Sequence, residues 1–210
     1  MMAEFYWIGG SPCAGKTTIS HIIGQEFGWT VYHIDRHVET YLQRAIPEKH
    51  PHLIAYKQMG LQKFLLQEPQ WQMQQVIGMS HEQFEFILED IANLESDAPI
   101  LVEGATLLAD DVSLKIGSAS QAIWLVPTEE FQLETYPQRG SWVQDVLRHH
   151  YDPQEAITAF ERWMERDALM AQWTAQEAEK RNIPVIIVDG SVELLDNAEL
   201  VMRHFNLLDN

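Results

Sequence analysis

The stretch Gly10-Ser11-Pro12-Cys13-Ala14-Gly15-Lys16-Thr17-Thr18 constrains this chain more than any other. A glycine, four residues and then Gly-Lys-Thr is the spelling of a loop that curls tightly and turns its backbone N–H groups inward on an anion. Gly10 and Gly15 tolerate the backbone angles and the close approach that such a curl demands. Lys16 brings a compact positive charge to terminal phosphates, and the Thr17 hydroxyl is a ligand for Mg²⁺. The flanks agree with the motif. Phe5–Ile8 reads as a short buried strand, and Ile19, Ile22, Ile23 and Phe27 recur at helical spacing after the loop. Strand, loop and helix in that order predict a nucleoside triphosphate site whose helix points its positive end at the phosphates.

Composition narrows the partners. A net charge of −17 with scattered lysines and arginines repels nucleic-acid phosphates, so no nucleic acid is expected. No apolar run reaches the length of a membrane span, and no membrane association is expected. The N-terminal stretch lacks the form of a secretory signal, and Cys13 is the only cysteine; both point to the cytoplasm. With 210 residues the chain suits one domain over 1–210, carrying a helical lobe at about 36–97 and a lid at about 128–166. Nothing in the sequence sets an oligomeric state.

Along the chain, Trp29–Ile34 reads as a second strand ending at Asp35. Strand carboxyl ends in an open parallel sheet face the ligand crevice, so Asp35 is a candidate general base for an attacking hydroxyl. An N-cap role for the next helix is compatible with this. His33 and His37 flank Asp35, but Mg²⁺ prefers oxygen ligands, so these histidines are read as pocket lining. Amphipathic helices are expected at Val38–Ile46, Leu53–Leu66, Trp71–Ile77 and Glu82–Leu94, broken by prolines and by Gly78. Arg36, Arg44, Lys57 and Lys63 are that lobe's candidate anion contacts, each competing with an ordinary surface role.

Pro99–Gly104 is a continuous apolar run ending in Glu103, the form of a buried strand carrying a Walker B carboxylate. Glu103 joins Thr17 as a candidate for holding Mg²⁺. Gln121–Val126 and Ile183–Val188 read as strands four and five, followed by a final helix over Val192–Phe205. Between those strands lie Arg139, Arg148, Arg162 and Arg166, a set suited to a lid that neutralises charge on a transferring group. Arg139 and Arg148 are the lid residues assigned here to catalysis with Lys16 and Asp35. At least one lid arginine is expected to reach the phosphates.

Through these short motifs the chain resembles the P-loop small-molecule kinases, the group that includes shikimate, gluconate, nucleoside monophosphate and antibiotic-modifying kinases. The resemblance implies a three-layer α/β fold with a five-stranded parallel sheet in the order 2-3-1-4-5 and a helical insert between strands two and three. It implies ATP and Mg²⁺ as cofactors and places Asp35 at the acceptor hydroxyl. It sets Gly190, in the turn Asp189-Gly190-Ser191, beside the adenine. The insert at 36–97 is longer and richer in Gln, Trp and Met than the compact acceptor lobe of shikimate or gluconate kinases. The leading expectation is transfer of the ATP γ-phosphate to a small hydroxylated metabolite. Two others stand beside it: a nucleotide-binding switch with slow hydrolysis, and a nucleoside or nucleotide kinase.

Overall fold

The computed structural model describes residues 4–138 and 141–208, apart from the side chains of 141 and 142. β1 (Phe5–Gly10) leads through the loop into α1 (Lys16–Phe27), which stops at Gly28, and β2 (Thr30–His33) follows. A 3-10 turn at Ile34–Arg36 opens the insert. The insert contains α2 (Val38–Arg44), α3 (Pro51–Met59), α4 (Leu61–Leu65) and α5 (Pro69–Ala92). Then come β3 (Ile100–Glu103), α6 (Ala109–Ser113), β4 (Ala122–Pro127), α7 (Glu129–Thr135), α8 (Ser141–His150) and α9 (Pro153–Lys180). β5 (Val185–Val188) and α10 (Leu194–His204) end the described chain.

The strands form one sheet in the order β2-β3-β1-β4-β5, every pairing parallel, as expected. The two-residue period of a strand divides the core between the two faces. Trp7, Val102 and Trp124 face the insert and α9, and Ile8, Leu101, Ile123 and Leu125 face α1 and α10. That division gives three layers. The near-continuous apolar character of β3 and β4, buried along their whole lengths, follows from being covered on both faces.

Three boundaries differ from the sequence reading for identifiable reasons. The expected helix over Leu53–Leu66 is two helices, α3 and α4, because Gly60 adopts φ 77° between them. The two helices expected around Gly78 are one, the 24-residue α5. Gly78 is there for close approach, since a Cβ would lie 2.5 Å from the His52 ring on α3. β5 begins at Val185, two residues later than expected. Asn182 turns left-handed (φ 56°) and the Ile183 N–H closes back on the Ala178 carbonyl at 3.0 Å, ending α9 first.

Candidate active site

The strand register gathers the site. β3 lies between β1 and β2, with Glu103 opposite both Ile8 and His33. Glu103 is therefore held at the carboxyl edge of the sheet, beside the loop that leaves β1, and it is 2% exposed. Its carboxylate accepts from the Thr17 hydroxyl at 3.2 Å and lies 2.6 Å from His33 Nδ1. Thr17 and Glu103, the two residues expected from the sequence to hold Mg²⁺, are thus in direct contact. The set of a hydroxyl and a carboxylate oxygen suits Mg²⁺ in chemistry. His33 serves the carboxylate rather than a metal of its own, and His37 stacks on Tyr32 with centroids 4.6 Å apart.

The loop is shaped by close contacts. At Gly10, with φ 113°, a Cβ would lie 1.9 Å from the Leu125 carbonyl oxygen, so only glycine lets the loop leave the sheet there. Cys13 holds φ 73°, a left-handed conformation that a side chain adopts at a cost and that turns successive N–H groups to one side. Lys16 is buried and donates to the Ser11 carbonyl at 2.7 Å, folding back across the loop. The Gln132 amide on α7 donates to the Pro12 carbonyl at 3.3 Å and braces the loop from outside. α1 begins at Lys16, after Gly15, with no side-chain cap and no acidic residue in its first turn, a lack shared by α3, α4 and α5, whereas Asp152 caps Gln154 and Glu155 at α9. Amides at such an open helix start are able to bind an anion.

These elements surround a cleft of about 560 Å³ lined by the loop from Pro12 to Thr18, by Asp35, and opposite by Tyr136, Trp163 and Arg166. Asp35 is exposed, and among the described residues no hydrogen bond or ion pair restrains its carboxylate. Arg166 on α9 bonds Asp167 through Nε at 2.8 Å, and its guanidinium carbon lies 5.9 Å from the Trp163 ring centroid. Asp167, 3% exposed, also accepts from the Tyr136 hydroxyl at 3.0 Å. One buried carboxylate therefore fixes both the arginine and the tyrosine that face the loop.

The other assigned residues fall as follows. Arg148 is exposed on α8, donates to Gln144, and is not among the residues that line the cleft. Arg139 lies outside the described residues. Arg162 is committed to the insert, through the Leu66 carbonyl and Glu68, and Arg44 to Glu89 and Asp90. Lys57 donates to the Leu42 carbonyl at 3.1 Å. Gly190 has φ 83° beside Phe131 and stands outside the cleft lining, as do Gly10 and Ser11. Sequence reasoning missed Tyr136, Trp163 and the His33–Glu103 pairing. It also missed a second cluster, where His81, Asp110 and Asp111 place ligand atoms within 4.8 Å of one another. Arg181 lies 3.8 Å from Asp110, and these contacts tie α5 to α6 and to the end of α9. No described helix is long and apolar enough to cross a membrane.

No protein-family model matches the chain, and no curated protein matches its sequence. The solved structures that resemble it include two matched over nearly the full length of both chains. An uncharacterized protein from Eubacterium ventriosum is 11% identical at a TM-score of 0.47, covering 99% of this chain and 100% of that one. A deoxyadenosine kinase from M. mycoides, solved with bound dATP, is 18% identical at a TM-score of 0.48, covering 96% and 99%. Likeness of that degree assigns no activity, so the functional reading rests on the cleft itself.

Proposed function

We propose that this protein is an ATP- and Mg²⁺-dependent kinase that transfers the γ-phosphoryl group to a hydroxyl of a small molecule. The observation that carries the reading is the arrangement of the cleft: the phosphate loop forms one wall, an unrestrained Asp35 stands at its edge, and Arg166 faces the loop from α9. Loop amides and Lys16 would hold the β- and γ-phosphates, with Lys16 exchanging its bond to the Ser11 carbonyl for one to phosphate oxygen. Thr17 and Glu103 would hold Mg²⁺, which when bound neutralises phosphate charge. Asp35 accepts the proton of the acceptor hydroxyl, and Arg166 offsets charge on the transferring group. Trp163 and Tyr136 exclude water from that side, which favours transfer over hydrolysis.

The test is ADP release from Mg-ATP against a panel of hydroxylated compounds, with Lys16→Ala as the control. Acceptor-dependent ADP release in the wild type and its loss in the variant are expected. ATP binding with no acceptor-stimulated turnover across the panel would favour the switch reading instead.

A further inference from the structure

A second cavity of about 160 Å³ opens between the insert and α9, and Arg166 lines both it and the nucleotide cleft. Thr106 on its wall follows directly on Ala105 of the cleft, so the two spaces adjoin along the chain as well. Its walls are mostly apolar, with Leu42 from α2, Leu53 from α3, and Val76 and Met79 from α5. On those walls Ser80, Gln83 and Thr106 carry polar groups, among them the Ser80 hydroxyl, the Gln83 amide oxygen and the Thr106 hydroxyl. All three are buried atoms without a hydrogen-bond partner, on residues that are 1% exposed for Ser80 and 4% for Gln83. Buried polar atoms are ordinarily hydrogen-bonded, so three unmet ones on residues around one small cavity point to an occupant with hydrogen-bonding groups of its own.

We propose that this cavity is the acceptor subsite, and that it selects an alcohol whose buried end is a single uncharged ring. This rests on the kinase reading above. The cavity is well below the roughly 300–1,000 Å³ of a complete ligand site, so it takes one end of the acceptor only. The hydroxyl end then projects past Arg166 into the cleft, toward Asp35. The charge inventory sets the class. No lysine, histidine or carboxylate lines the cavity, and its only formal charge is Arg166, which also lines the nucleotide cleft and is assigned there to the transferring group. A carboxylate or phosphate carried into the apolar end would lose its water without gaining a counter-ion there. Tyr56 also lines the cavity, and burial pushes its phenol above the ordinary value against the pull of Arg166, which keeps it neutral. The Ser80, Thr106 and Tyr56 hydroxyls and the Gln83 amide donate and accept, matching the edge of a polar but neutral ring.

The experiment uses matched pairs that differ by one charge: methyl shikimate against shikimate, uridine against orotidine, and benzyl alcohol against 4-(hydroxymethyl)benzoate. Two readouts are taken, the shift in melting temperature on binding and acceptor-dependent ADP release. The expected result is that a neutral member binds and its anionic twin does not. Gln83→Leu should raise the acceptor KM about ten-fold or more with a smaller change in kcat. Ser80→Ala, a milder change, should move KM the same way. Val76→Phe, which fills the cavity, should abolish the melting shift, with the Kd for ATP as the check on folding. Neutral members that bind and lose binding in Val76→Phe, with no turnover from any compound of the panel, support a neutral-ring site in this cavity and count against the kinase reading that makes it an acceptor site. Turnover that is indifferent to all three substitutions overturns the subsite and leaves the kinase intact. Equal or better use of the anionic twins also overturns it, as does the absence of any melting shift across the panel.

Discussion

Replacing Gly78 by alanine tests how tightly α3 packs on α5, the helix that carries Val76, Met79, Ser80 and Gln83. In the interior of an exposed helix this change ordinarily stabilises by about 1 kcal/mol. Here the new methyl would come within 2.5 Å of Cγ and Cδ2 of His52. The ring has little freedom to retreat: its Nδ1 lies 2.9 Å from Gln75 Oε1, and the His52 backbone N–H donates to Glu82 at 2.8 Å. Forcing a methyl into a packed contact costs about 1–3 kcal/mol. The clash outweighs propensity, and a net loss of roughly 0–2 kcal/mol is expected. In a His52→Ala background the obstacle is gone, and the same substitution should stabilise by about 1 kcal/mol. Urea denaturation of the four proteins of the cycle measures the difference between these effects, expected at about 1–3 kcal/mol. If Gly78→Ala stabilises by about 1 kcal/mol with His52 in place, the close approach assigned to these helices is wrong.

Asp35→Asn should lower phosphoryl transfer by about 100- to 10,000-fold while the Kd for ATP stays nearly constant; unchanged transfer would remove Asp35 from the chemistry. Cys13 is half-buried and lines the cleft, so alkylation by iodoacetamide should block ATP binding, and saturating Mg-ATP should protect the thiol. Modification at the same rate with and without nucleotide would place ATP elsewhere. Burial pushes the Asp111 carboxyl above its ordinary value, against the pull of His81. A raised carboxyl favours the fold when protonated, so its contribution is present in acid and lost as the pH rises through the raised value. Asp111→Asn should therefore leave stability unchanged or higher at pH 7, with the difference vanishing below about pH 4, as read by urea melts at both values. A loss above about 1 kcal/mol at pH 7 would mean the contact with His81 outweighs burial.

Much of the frame was legible because its signals are local. The phosphate loop, the strand cores and the acidic end of β3 each sit in one short stretch, while the pairing of β3 beside β1 is what brings Glu103 to Thr17. The parts that eluded sequence reasoning depend on contacts between distant segments. Gly78 reads as a helix breaker until His52 is seen against it. His33 reads as pocket lining until β2 pairs with β3 and brings it to Glu103. Sequence reasoning assigns Arg139 and Arg148 to catalysis, whereas tertiary partners take Arg162 to the insert, Arg148 to its own helix and Arg166 to the cleft. Periodicity tells which face of α9 is buried but not which space that face borders.

The central claim is that the γ-phosphoryl group passes from the phosphate loop to an alcohol rather than to water. The direct measurement follows labelled phosphate from [γ-³²P]ATP in the presence of acceptor, in wild type, Lys16→Ala and Asp35→Asn. The account predicts label in an alkyl phosphate ester for the wild type and none above background for Lys16→Ala. Label appearing only as inorganic phosphate, with every acceptor tried, would contradict it.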